Sequence, residues 1–462
     1  MQILICVVFI VILLTGSGHA FSVVPDKSKP VACTSLEHDP DKIREAQARG
    51  ITLEELRAGG TRNSRKIYID QVLKQRVPGF DLHVPHDPDL YGRESGSTLP
   101  YSLLVCHPTT AENTAPDYPV PGTDTVIPRM QVTELPLLPD DHKYPLVLVS
   151  HGLGMDPLNE NIFELAGQGF IVAALFHGDR RFPFPTIISL RRAELLTLRP
   201  LALKHTIDYL LEHPGFKEKI DETRIGGVGI SIGGTSMLNL MGAEMIGPDI
   251  FSMRNTATDP RISAAASIVP FLGQKYIFPL FGFNAQGAEN VHQPYLAYSS
   301  AADGLADIDT VSSVLDNKPG STYLVQVENE EHWISEEATV NAFEWSLLFL
   351  NAHLKGDPEA QDALAKSSSI KSSVTNSMVM SRPVSQKYTE ELFELIENLL
   401  PDSFQPGQST QVTDGIIFRY YPLIEAYLAS YSNELYYLDS AGVHPLGPVM
   451  YWWSQLERDH PP

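Results

Sequence analysis

A hydroxyl becomes a useful nucleophile only beside a positioned base. This chain carries a serine in a setting suited to that use: Gly229-Ile230-Ser231-Ile232-Gly233, a G-x-S-x-G pattern. Arg224 to Ile230 reads as a strand and Thr235 to Leu240 as helix, so Ser231 falls where one becomes the other. On such a turn the serine backbone is strained, and glycines on either side remove Cβ atoms that would collide where strand meets helix. Ser231 is therefore the candidate nucleophile. The plain alternative is a glycine-rich turn, because Gly and Ser are common and the pattern arises by chance.

The serine needs a base, and the base needs a third group to fix its tautomer. His332 lies in Glu328-Asn329-Glu330-Glu331-His332-Trp333, just after the last strand expected in the series. A loop there can return an imidazole over the strand ends, which makes His332 the candidate base. His292 precedes a strand and His353 lies deep in a helix, positions suited to surface or core histidines. The acid should follow the strand between nucleophile and histidine. Pro294 to Gly304 supplies Asp303 at its end, with Asp307 and Asp309 as alternatives that would otherwise be helix-start carboxylates.

Acyl transfer also needs donors for a developing oxyanion. One is the Ile232 N–H, directly after the nucleophile. The other belongs to Ser150-His151-Gly152-Leu153-Gly154, after an earlier strand: Leu153 is assigned, with Gly152 the neighbouring alternative. His151 precedes the nucleophile and reads as a structural hydrogen-bonding residue. Neither H-E-x-x-H nor paired C-x-x-C occurs, and His177-Gly178-Asp179 is too sparse for a ligand set, so no metal or other cofactor is expected.

Positioning those residues requires a regular scaffold. Short apolar runs at Tyr101–Cys106, Pro145–Ser150, Phe170–Phe176, Arg224–Ser231, Ile262–Phe271, Pro294–Ser299 and Thr322–Val327 read as strands. Helical stretches such as Ala193–Glu212 and Glu336–Leu354 alternate with them. This α/β alternation predicts a mostly parallel central sheet flanked by helices, in the rhythm of the α/β-hydrolase fold. The expected organisation is a signal peptide over 1–20, an N-terminal arm over 21–98 with polar helix-forming sequence at Asp39–Gln75, and a catalytic domain over 99–358. A Ser-rich linker over 359–385 and a C-terminal helical, aromatic-rich extension over 386–462 follow, with a helix near Glu390–Leu400. The tail aromatics read as core of a small subdomain, with a cap over the site or peripheral contact with lipid as the other uses.

With 462 residues, 34 Lys plus Arg and 56 Asp plus Glu, the formal charge is -22. That charge repels nucleic acid and anionic membrane surfaces, and nucleic acid is excluded as a partner. The apolar run Ile3–Leu14, followed by small residues Gly18 and Ala20 before Phe21, reads as an export signal, although no Lys or Arg precedes it; an uncleaved anchor is the rival. Removing it would leave Cys33 and Cys106, either joined in an oxidising compartment or present as two thiols. No Asn-x-Ser/Thr sequon occurs, which fits a bacterial periplasmic or secreted setting.

Taken in order, Pro145–Gly154, Leu165–Ala174, His177-Gly178-Asp179-Arg180-Arg181 and the Ser231 pentapeptide resemble the platelet-activating factor acetylhydrolase group of α/β-hydrolases and its dienelactone-hydrolase-like and polyesterase-like relatives. The resemblance runs from about Leu99, where Cys106-His107-Pro108-Thr109 is similar to a strand motif of the group, to about Pro358. It implies a serine esterase. The acetylhydrolases place their acid after the strand matching Ile262–Phe271, where this chain has no carboxylate; Asp303 corresponds to the position used in the polyesterase-like relatives. Dienelactone hydrolases carry a cysteine where this chain has Ser231, so that activity is not implied. The expectation is an exported serine carboxylesterase acting on short-acyl esters, small-molecule or lipid, through Ser231, His332 and Asp303. Its rivals are an amidase or peptidase with the same triad and a binding protein whose triad is idle.

Overall fold

The computed structural model describes residues 29–35, 79–119, 125–131, 142–153, 160–178, 193–246, 257–274, 278–282 and 285–381. It also describes isolated residues and pairs between these stretches, the pair 20–21, and strands between 409 and 448. The apolar run Ile3–Leu14, the expected helices at Asp39–Gln75 and Glu390–Leu400, and the Asp179–Arg181 end of one quoted motif lie outside the described residues.

Strong β-formers with both faces apolar build the centre of the molecule. β1 (Val31–Ser35), β2 (Phe80–His83), β3 (Thr98–Pro108), β4 (Met130–Gln131), β5 (Tyr144–Ser150), β6 (Ile171–Phe176), β7 (Ile220–Ile230), β8 (Ile262–Ile268), β9 (Tyr295–Ser300), β10 (Thr322–Val327) and β11 (Asn376–Ser381) form one 11-stranded sheet. Its order is β11-β10-β9-β8-β7-β5-β6-β3-β1-β4, with β2 also paired to β3. From β10 to β6 every neighbouring pair is parallel, and β11, β3, β1 and β2 add antiparallel pairings at the flanks. The protein is thus α/β with a mixed, mostly parallel sheet.

Alternation along the strands assigns side chains to two cores. Leu146, Leu148, Ile171, Ala173, Leu175, Ile225 and Leu324 face one layer, with α2 (Ala193–Glu212), α3 (Ile232–Leu240) and α4 (Ile308–Asn317). Val147, Val149, Val172, Ala174, Val228, Leu296 and Val325 face the other, with α1 (Glu160–Gly167), α5 (Glu336–Leu350) and α6 (Pro358–Lys366). Burial on both faces explains why β5 is apolar without a polar face, all seven of its residues being buried.

Strand order places the site. The chain moves from β5 to β6 on one side, then crosses back to β7 on the other side of β5. Reversal of this kind opens a crevice at the carboxyl ends of the parallel strands, where loops diverge. Ser150, Ser231, Asp303 and His332 all lie at or just beyond such ends, after β5, β7, β9 and β10.

Several local expectations are corrected. The strand expected over Ile262–Phe271 ends at Ile268, because Val269 has a φ of 41° and Pro270 follows. The helix expected to run to Leu354 is α-helical to Leu350 and closes in a wider turn over Asn351–Lys355, with Gly356 left-handed at a φ of 64°. The Ser-rich stretch is not structureless: α6 occupies its start, and β11 pairs antiparallel with β10. Strands β1 and β2 bring the N-terminal arm into the same sheet, so the sheet extends beyond 99–358 at both ends. The described part of the C-terminal extension is not helical. Ser409–Gln411, Ile417–Tyr421, Ala426–Tyr431, Glu434–Asp439 and Gly442–Pro448 form an antiparallel meander, for which β-propensity of the Tyr- and Leu-rich runs gives the reason.

Candidate active site

The turn at Ser231 is built from glycines. A Cβ on Gly229 would lie 2.5 Å from the Gly233 carbonyl carbon, and one on Gly233 would lie 2.0 Å from the Ser150 carbonyl oxygen. Both are well inside contact distance, so β7, α3 and the end of β5 approach this closely only with glycine there. Ser231 itself has φ 54° and ψ -119°, a region non-glycine residues rarely occupy. Surrounding bonds hold it: the Ser231 N–H donates to Ile268 O at 3.0 Å, and Ser231 O accepts from Phe271 N–H at 3.0 Å. Thr235 Oγ1 donates to Phe271 O, tying the same loop to α3.

Ser231 Oγ and His332 Nε2 are 2.9 Å apart, and His332 Nδ1 and Asp303 Oδ2 are 2.8 Å apart. The Asp303 carboxyl group is fully buried and His332 nearly so. Asp303 Oδ1 accepts backbone N–H groups from Leu305 at 2.9 Å and Ala306 at 2.8 Å, which satisfies one oxygen and aims the other at the imidazole. With the ring proton on Nδ1 facing the carboxylate, Nε2 accepts the serine O–H. The His332 loop is closed by Glu330, whose carboxylate accepts from Ser335 N–H at 2.7 Å and Ser335 Oγ at 2.8 Å. Ser335 Oγ in turn caps α5 by accepting from Ala338 N–H. A shift in α5 would therefore be felt at His332.

The alternatives fall elsewhere. Asp307 caps α4, accepting from Asp309 N–H and Thr310 Oγ1, and Asp309 lies in that helix's first turn. His353 sits 3.2 Å from the Tyr323 hydroxyl, and burial lowers its pKa to about 4, with Lys318 adding to the shift. His292 lies ahead of β9, its pKa lowered by burial and then by Lys318.

The loop after β5 lies against the nucleophile. A Cβ on Gly152 would be 3.7 Å from Ser231 Cβ. Among the described residues, the backbone N–H groups of Leu153 and Ile232 have no backbone acceptor outside regular elements, and Ile232 opens α3, where a helix has no internal partner for that N–H. His151 makes the structural bonds expected of it: Nδ1 to Gly152 O at 2.7 Å, and Nε2 accepting His177 N–H at 3.1 Å. Ser150 Oγ and His177 Nε2 are 2.8 Å apart, joining the loops after β5 and β6. Sequence reasoning missed Arg199, buried on α2 and donating to the carbonyls of both His151 and Gly152. Its signal was a charge at the buried stripe position of α2, among Leu195, Leu198 and Ala202.

Cys33 and Cys106 are joined as a disulfide across directly opposed positions of β1 and β3. Among the described residues no helix is long and apolar enough to cross a membrane, and no cluster of three or more His, Cys, Asp or Glu could hold a metal ion. No protein-family model matches the chain, and no curated protein matches it.

Proposed function

We propose that this protein is an exported serine carboxylesterase with an α/β-hydrolase fold, acting on short-acyl esters. The observation that carries the reading is the hydrogen-bonded chain from Asp303 through His332 to Ser231, at the carboxyl edge of a parallel sheet. Chain order of nucleophile, acid and histidine, and a nucleophile strained between strand and helix, support the fold assignment. The resemblance to acetylhydrolase-like and polyesterase-like enzymes points the same way. Phospholipid-type acetyl esters and polyester oligomers are the substrate classes it implies.

In this mechanism Ser231 Oγ adds to the ester carbonyl carbon while its proton passes to His332 Nε2, and the carbonyl π pair moves onto oxygen. Leu153 and Ile232 N–H groups receive that oxyanion. Collapse breaks the bond to the alkoxy group, which leaves with the proton from His332. Water then gives a proton to His332 as it adds to the acyl carbon, and collapse releases the carboxylic acid and returns the proton to Ser231. Asp303 holds the tautomer and stabilises the imidazolium throughout. The Cys33–Cys106 bond supports export, since disulfides persist in oxidising compartments.

The test is labelling with a fluorophosphonate probe and hydrolysis of a nitrophenyl ester series. Wild type should label at Ser231 and hydrolyse the short-acyl members, and Ser231→Ala should do neither. Absence of labelling in the wild type, or its persistence in Ser231→Ala, removes the nucleophile from the proposal.

A further inference from the structure

Arg199 projects from α2, 1 % exposed, onto two consecutive carbonyls of the loop after β5. Nη1 donates to His151 O at 2.6 Å and Nη2 to Gly152 O at 3.2 Å. Gly152 O also lies 2.7 Å from His151 Nδ1. That nitrogen must be the donor, because Nε2 of the same ring accepts the His177 backbone N–H, which can only donate. One carbonyl is thus gripped by two buried side chains, and it also accepts the Met155 N–H at 3.3 Å.

A peptide unit is planar, and none here is cis, so the N–H of Leu153 is antiparallel to the Gly152 carbonyl it shares a plane with. Fixing the oxygen fixes the hydrogen. With Gly152 O held toward the guanidinium, Leu153 N–H is directed away from it. The field of the guanidinium polarises the peptide so that the far N–H donates more strongly.

We infer that Arg199, resting on the esterase reading above, is a positioning residue that orients and polarises the Leu153 N–H to receive the oxyanion. It acts through the peptide units it holds. A planar two-pronged donor suits two adjacent carbonyls, and an ammonium cannot reproduce the fork.

Arg199→Met and Arg199→Lys are compared with wild type by kcat and KM on a nitrophenyl ester, per active site counted by fluorophosphonate titration. Affinities are measured for a trifluoromethyl ketone and for the matching secondary alcohol. In the ketone, Ser231 Oγ adds to the carbonyl carbon, the π pair moves onto oxygen and the serine proton passes to His332, so the adduct carries the oxyanion; the alcohol forms none. Arg199→Met should lower kcat about 10²-fold, the scale of one lost oxyanion donor, with KM within about threefold. The ketone should weaken by a similar factor while the alcohol is unchanged. Arg199→Lys should fall between, and it decides the matter if Arg199→Met does not fold. A merely structural role would reduce the number of titratable sites and leave kcat per site intact. Unchanged kcat per site, or equal weakening of ketone and alcohol, overturns the assignment while leaving the esterase reading standing. A wild type that neither labels nor hydrolyses overturns the esterase reading itself, and this inference with it.

Discussion

At Asp303 two backbone N–H groups occupy one carboxylate oxygen and leave the other for His332. Of three nearby aspartates, this arrangement brings Asp303 to the imidazole, which spacing could not show. Asp303→Asn should keep the geometry but favour the wrong imidazole tautomer, lowering kcat by about 10³- to 10⁴-fold with little change in urea midpoint. Asp307→Asn should leave kcat within about twofold, and cost at most about 1 kcal/mol by weakening a helix cap. Equal activity of Asp303→Asn and wild type would sink the assignment. Ser231 and His332 were legible because each sits in a recognisable local context, a G-x-S-x-G turn and a loop after a strand. Arg199 was not, because its one local sign, a charge on the buried stripe of α2, does not show which distant carbonyls it meets.

Elements meet at this site through glycine. The close approach of α3 to the end of β5 leaves no room for a methyl group on Gly233, whereas a Cβ on Gly304, next to Asp303, would meet nothing within 4 Å. Gly233→Ala should therefore destabilise by more than about 2 kcal/mol and depress ester hydrolysis as the Ser231 turn is pushed from Ser150. Gly304→Ala should stay within about 0.5 kcal/mol of wild type. Urea midpoints check both, and equal shifts would refute the packing argument. The central strands and α2 were readable from their apolar patterns. Strand β11 was not: Ser-rich Lys366–Ser385 has a loop-like composition, and only pairing with the edge of β10 makes part of it a strand.

For the whole molecule, the Cys33–Cys106 bond closes a loop of sequence separation 73, and the chain-entropy estimate for such a loop is about 4 kcal/mol. Cys33→Ala with Cys106→Ala should lower the urea midpoint accordingly, and an unchanged midpoint would contradict that estimate. Acid sensitivity follows from buried histidines. Burial lowers His107 from 6.5 to about 4, opposed by its bond to Pro108 O. Because the folded value is depressed, the unfolded chain takes up a proton between those two values and the folded one does not. Stability is then present above pH 6.5 and is lost as pH falls toward 4, at up to about 1.4 kcal/mol per pH unit for this group. Relative to wild type, His107→Leu should lose less stability on acidification through that window; parallel pH curves for the two proteins would refute the assignment.

The sequence by itself determined what short-range physics encodes: the apolar periods of the central strands, the glycine-flanked serine turn, and the strand-end positions of Asp303 and His332. Tertiary structure alone decided the order β6-β5-β7, the recruitment of β1, β2 and β11 to the sheet, the pairing of Cys33 with Cys106, and the grip of Arg199 on the loop at Gly152. Those features join residues far apart in the chain. Their stability comes from burial and bonding that exist only once the segments have met, so no local pattern records them.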